Sequence, residues 1–154
     1  MRKASVARAI LWGGLTAGVL DLTAALVQSG LRGRSPVSLL QSISSGLLGA
    51  DSFQGGAATA ALGAVLHFVI AFVAAAVYVA ASRKLKWLVR RPVVCGLLYG
   101  VAVYLVMTFV VVPLSAAPFK LGASPSALAT GLAIHMLCVG LPIALVARRF
   151  LPAS

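Results

Sequence analysis

Four long stretches of this chain carry at most one formal charge, and they decide what it can fold into. Residues 9–31 contain only Asp21, and residues 52–82, 92–119 and 121–147 contain no charged side chain. Each exceeds the roughly 20 residues that a helix needs to cross a bilayer core of about 30 Å. At that depth no water is present to satisfy the backbone, so only helices or closed barrels can cross. The runs are continuous and lack the two-residue alternation of a barrel strand, which leaves helices. Spans are expected at about 8–28, 56–81, 93–113 and 125–147, and the expected fold is a single all-α membrane domain over 1–154.

Composition agrees. The chain is 61% hydrophobic and 10% charged, against roughly 45–50% and 25% in soluble domains. Thirteen Lys and Arg stand against Asp21 and Asp51, with no Glu, for a net charge of +11. A surplus of that size often marks a nucleic-acid binder. Here the basic residues lie between the apolar runs and form no stripe on a soluble face, so no nucleic-acid partner is expected. Arg2, Lys3 and Arg8 ahead of an apolar run also resemble a signal peptide. Asp21 interrupts that run and no small-x-small cleavage site comes after it, so the first stretch is expected to be a retained span.

The positive-inside rule orients the threading. One side receives Arg2, Lys3, Arg8, Arg83, Lys84, Lys86, Arg90, Arg91, Arg148 and Arg149; the other receives Arg32, Arg34 and Lys120. Both termini are therefore expected in the cytoplasm. The basic links there are expected to touch anionic lipid head groups, each contributing about 1 kcal/mol. Trp12 and Trp87 fall near the same interface, where amphipathic rings anchor helices.

Between the first two spans, Ser35-Pro36 is a helix start: a cap followed by proline in the first turn. Leu39, Leu40, Ile43 and Leu47 then recur at helical spacing, opposite Ser38, Gln41, Ser42 and Ser45, until Gly49. This pattern predicts a short amphipathic outer helix at about 36–48, lying on the membrane surface or dipping in beside the bundle. Ser124-Pro125 repeats the start signal, and Pro142 is expected to kink the fourth span.

The two halves resemble each other in order. Gly14-Leu15-x-x-Gly18 matches Gly96-Leu97-x-x-Gly100, Gly63-x-x-x-His67 matches Gly131-x-x-x-His135, and Arg83-Lys84 matches Arg148-Arg149. A duplication of 8–84 in 91–149 is expected, as two tandem helical hairpins in parallel orientation. Spans one and three are expected to pair through their Gly-x-x-x-Gly faces, where small residues let backbones approach.

Depth counting brings polar groups to one level. Arg8 to Asp21, Arg91 to Tyr104 and Arg148 to His135 are each 13 residues, and Arg83 to His67 is 16. At 1.5 Å per residue all four lie roughly 20–24 Å above the basic line, with Thr108 and Cys138 nearby. An ionisable group inside a membrane normally faces a partner or a wet cavity. Asp21 is therefore expected to hydrogen-bond His67, His135 or both, with Tyr104 or Thr108 completing the set.

Three readings of this layer stand side by side: interhelical glue, a site that binds or relays a proton or small polar species, and a haem held by His67 and His135 as axial ligands. The two histidines are also the candidate ligands for any metal, although nothing selects one. No nucleophile motif, phosphate-cradling loop or second intramembrane carboxylate is present, so no enzymatic activity and no cofactor are expected. The glue reading makes the chain an accessory subunit of a larger complex. A four-span unit is small for a solute pathway, so the transport reading calls for a homo-oligomer or a membrane partner. Cys95 and Cys138 differ in depth by more than the roughly 7 Å a disulfide tolerates, so both are expected as free thiols.

Arg34-Ser35-Pro36-Val37, His67 followed by Tyr78, Lys84-Leu85-Lys86-Trp87, Gly96-Leu97-Leu98-x-Gly100, Pro113-Leu114 and His135 leading to Arg148-Arg149 resemble the YagU-type family of small bacterial inner-membrane proteins. The resemblance implies a multi-span inner-membrane protein and no particular activity. Asp21 lies outside the matched motifs.

Overall fold

The computed structural model describes residues 3–119 and 124–152, with side chains from Ser5 onward. Arg2 and Lys120, which enter the charge count, lie outside the described residues. Among those described, every regular element is helical and no strand is present. Four helices are long and apolar enough to cross a membrane: Ser5–Leu31, Gly56–Lys84, Pro92–Leu114 and Pro125–Phe150, here spans one to four. Each contains the expected stretch and runs up to a few residues further, as the charge-free runs allow. Val65, Val69, Val73 and Val77 form an exposed stripe on span two. A stripe so apolar and so open suits a lipid-facing surface.

The tightest packing lies at the basic end. Ala9 of span one, Tyr78 and Val79 of span two, Val89 of the short link helix Trp87–Arg90, and Ile143 and Ala147 of span four share one core. Tyr78 donates its hydroxyl to the Leu88 carbonyl at 3.0 Å, and Ser82 donates to the Tyr78 carbonyl at 2.8 Å. Tyr99 reaches across from span three to the Ala74 carbonyl at 2.7 Å, its ring edge-on to Tyr78. The two tyrosine hydroxyls tie span two to the link that follows it and to span three.

The glycines pair differently from the expected arrangement. Span one packs on spans two and four, span three packs on span four, and spans one and three share no packed interface among the described residues. The Gly14 and Gly18 notch is filled by Phe72 and Phe68 of span two. Gly96 and Gly100 lie against the span-four backbone at Gly140 and His135–Met136. The physical reason at span one is complementarity: the Phe68 and Phe72 rings supply a ridge that fills the notch. At Gly140, by contrast, backbone meets backbone.

Spans three and four each contain a π-helical turn, Met107–Val111 and His135–Gly140. Each precedes a proline, Pro113 and Pro142, and includes the residue four before it, Phe109 and Cys138. Proline removes one helical N–H and crowds that carbonyl; widening the turn relieves both. The kink expected at Pro142 therefore takes the form of a π-turn. Span two has no proline and remains regular, so His67 and His135, matched in sequence, sit on different backbones.

The intervening helix Pro36–Leu48 has the expected bounds. Ser35 Oγ accepts from the Ser38 N–H at 3.1 Å, and Gly49 ends the helix at φ +63°. Its polar side, however, faces the protein. Gln41, Ser44 and Ser45 are buried, whereas Leu47 and Leu48 are exposed. Gln41 Nε2 donates to the Gly56 carbonyl at 3.1 Å and to Thr59 Oγ1 at 3.3 Å, and Ser52 Oγ donates to the Gln41 carbonyl at 2.7 Å. The Ala116 N–H reaches the Gly46 carbonyl at 2.9 Å. Of the two expected placements, the one beside the bundle is the one found, with the polar side satisfied internally because apolar surroundings offer nothing else. The Leu40 carbonyl rests against Gly63, where any Cβ would overlap it.

Two consequences are measurable. Gly140→Val, which puts side-chain atoms onto the Gly96 carbonyl and Gly100, should lower stability in detergent by about 1–3 kcal/mol or more. Gly30→Val, with open space around it, should stay within about 0.5 kcal/mol. Gly63→Val should lift the intervening helix off span two, so that a cysteine placed by Ser44→Cys, unreactive to maleimide in the otherwise native chain, becomes labelled.

Candidate functional site

Asp21, His67 and His135 come from spans one, two and four, and all three line one cavity of about 120 Å³. The wall is otherwise apolar: alanines, Ile70, Val103, Met107 and Val139, with Ile43 of the intervening helix closing one side. The three residues singled out by depth and face thus meet around a shared space.

They do not meet as direct partners. His67 Nε2 lies 4.0 Å from Asp21 Oδ2, too far for a hydrogen bond. The same nitrogen is 2.9 Å from the Gly18 carbonyl. A carbonyl oxygen only accepts, so Nε2 carries the proton and donates it there, tying span two to span one. The expected Asp21–His67 hydrogen bond is therefore replaced by one to the backbone three residues earlier. Geometry explains the preference: Gly18 has no side chain to shield its carbonyl. Asp21 makes no hydrogen bond to another described residue, and its side chain is 20% exposed.

His135 is fixed within its own span. Its Nδ1 donates to the Gly131 carbonyl at 2.9 Å, which in the neutral imidazole leaves Nε2 with a free lone pair. Tyr104 packs edge-on against the ring at 5.3 Å, in space that Gly131 leaves open. Tyr104 thus supports His135 and does not line the cavity. Thr108 is buried, its hydroxyl has no partner among the described residues, and it faces a second, larger cavity of about 650 Å³ beside Phe109, Pro113 and Phe119. It is not part of the Asp21 group. The π-turn beginning at Met107 rotates the helix between Tyr104 and Thr108, which counting at α-helical spacing did not include.

Ile43 and Met107 are among the lining residues that sequence reasoning did not single out for the site. Ile43 carried the signal of an apolar helix face, which does not say what that face meets. Met107 had no signal beyond its place one turn after Val103.

Among the described residues, no three of His, Cys, Asp and Glu form a group that could hold a metal. The cavity also fits a porphyrin poorly. Sites that enclose drug-sized ligands run to about 300–1,000 Å³, and His67 Nε2 is engaged at Gly18. Cys95 and Cys138 are both free thiols.

No protein-family model, curated protein or solved structure matches the chain.

Proposed function

We propose that this chain is a non-enzymatic, multi-pass protein of the bacterial inner membrane, of the YagU type, whose Asp21–His67–His135 cavity binds or relays a proton or small polar species. The observation that carries this reading is the convergence of three ionisable side chains from three spans on one small cavity between helices apolar enough to cross a membrane. A carboxylate at such depth is costly to retain unless it is used or paired, and Asp21 has no hydrogen-bonding partner among the described residues. Imidazole is the side chain that exchanges protons near neutral pH, and two of them flank the same space.

The threading follows from charge. Arg8, Arg83, Lys84, Lys86, Arg90, Arg91, Arg148 and Arg149 flank the core that gathers the start of span one, the link and the end of span four. With Lys/Arg excess marking the cytoplasmic side, both termini are cytoplasmic and this end contacts anionic lipid. A unit of four spans provides a pathway together with a second copy or a membrane partner.

A second reading, the polar layer as glue in an accessory subunit, is favoured by the His67–Gly18 bond, which ties two spans together. One experiment separates the two. In liposomes loaded with a pH-sensitive dye and driven by a potassium diffusion potential, the native chain should carry protons and Asp21→Asn should reduce the flux at least tenfold. His67→Phe should weaken the span contact by about 0.5–2 kcal/mol. An Asp21→Leu protein as stable as the native chain and equal to it in flux would leave only the glue reading.

A further inference from the structure

We propose that the cavity is selective for a small singly charged cation that donates hydrogen bonds, of the ammonium class. This rests on the reading above that the cavity is a working site, and it names the species.

Hydrogen-bond polarity decides the class. Asp21 brings a carboxylate, which only accepts and carries a full negative charge. His135 has its Nδ1 proton committed to the Gly131 carbonyl, so the nitrogen left over is an acceptor. His67 has its Nε2 proton committed to the Gly18 carbonyl, so its remaining nitrogen is an acceptor as well. Among the described residues, no Lys, Arg, Ser, Thr, Tyr or Trp side chain lines the space. Helix N–H groups of the wall are engaged within their own helices. With both imidazoles neutral, the wall therefore offers a carboxylate and acceptor nitrogen, and each imidazole N–H is already committed to a backbone carbonyl. An anion or a carbonyl compound finds nothing to hold it there, whereas an N–H cation finds both charge and acceptors.

Size and donor type narrow the class. Water occupies about 30 Å³ in the liquid, and ammonium is of similar size. A cavity of about 120 Å³ thus accommodates the ion with a few waters, or methylammonium with fewer. Alkali and alkaline-earth ions prefer a shell of several oxygens, and here the carboxylate is the one oxygen-bearing side chain. The side chains of Asp21 and His67 are 20% and 13% exposed, so the chain does not seal the cavity completely.

The test is a melting series on the full chain in mild detergent at pH 7 and constant ionic strength, with ammonium, methylammonium, sodium and tetramethylammonium chlorides. Ammonium and methylammonium should each give a saturable rise in Tm. Sodium and tetramethylammonium, the latter lacking any N–H, should give none. Asp21→Asn should weaken the ammonium response at least tenfold. His135→Phe, which keeps a ring against Tyr104 but deletes the acceptor, should weaken it about threefold to tenfold. Equal rises in all four salts, or an unchanged ammonium response in Asp21→Asn, would overturn the proposal; if Asp21→Asn does not fold, the salt series on the native chain decides. Proton flux that depends on Asp21 without an ammonium-specific rise removes this ligand class and leaves the relay reading standing. Loss of both effects removes the two together.

Discussion

Where no water can reach, donors and acceptors have to find partners inside the protein, and most of this structure obeys that constraint; the buried hydroxyls of Ser29 and Thr108 are the exceptions among the described residues. The backbone answers it by coiling into helices. Polar side chains within the spans answer it by turning to main-chain carbonyls: His67 to Gly18, His135 to Gly131, Tyr99 to Ala74 and Tyr78 to Leu88. All four groups have a proton to offer. Asp21 has none when ionised, and the helical N–H groups around it are already engaged. The carboxylate is therefore the ionisable group in the layer that this solution does not serve.

Much of the scaffold was readable from the amino acids because the signals involved are local. A charge-free run is a length, and Ser35-Pro36 and Ser124-Pro125 are caps whose hydroxyls accept from N–H groups three residues on. The common depth of Asp21, His67 and His135 was readable for the same reason, since helix rise is nearly invariant. Thr108 escaped because its bearing depends on accumulated rotation, and one widened turn changes that. The glycine notches were visible, but what fills them was not. Phe68 and Phe72 look like ordinary lipid-facing residues until the partner helix is in place. Likewise, the pattern over 36–48 reveals two faces without saying which one meets protein when the surrounding medium is itself apolar.

Sequence likeness between the halves hides a difference in use. His67 grips another helix, while His135 grips its own and keeps its outer nitrogen free. The difference originates in backbone: a regular helix below one ring, and a proline-induced π-turn beginning at the other. Two imidazoles alike in sequence position are thereby given unlike tasks, one holding spans together and one facing the empty space.

The helix between the first two spans, with its buried polar side facing protein, bears on how the molecule is built. Ser44 and Ser45 bond carbonyls of their own helix, but the groups that the Gln41 amide reaches, Gly56 and Thr59, lie later in the chain, at the start of span two. The Gln41 amide therefore gains these partners only after the start of span two has been made. The seat of this helix is thus made from chain that follows it, and it is complete only once the next membrane crossing has begun.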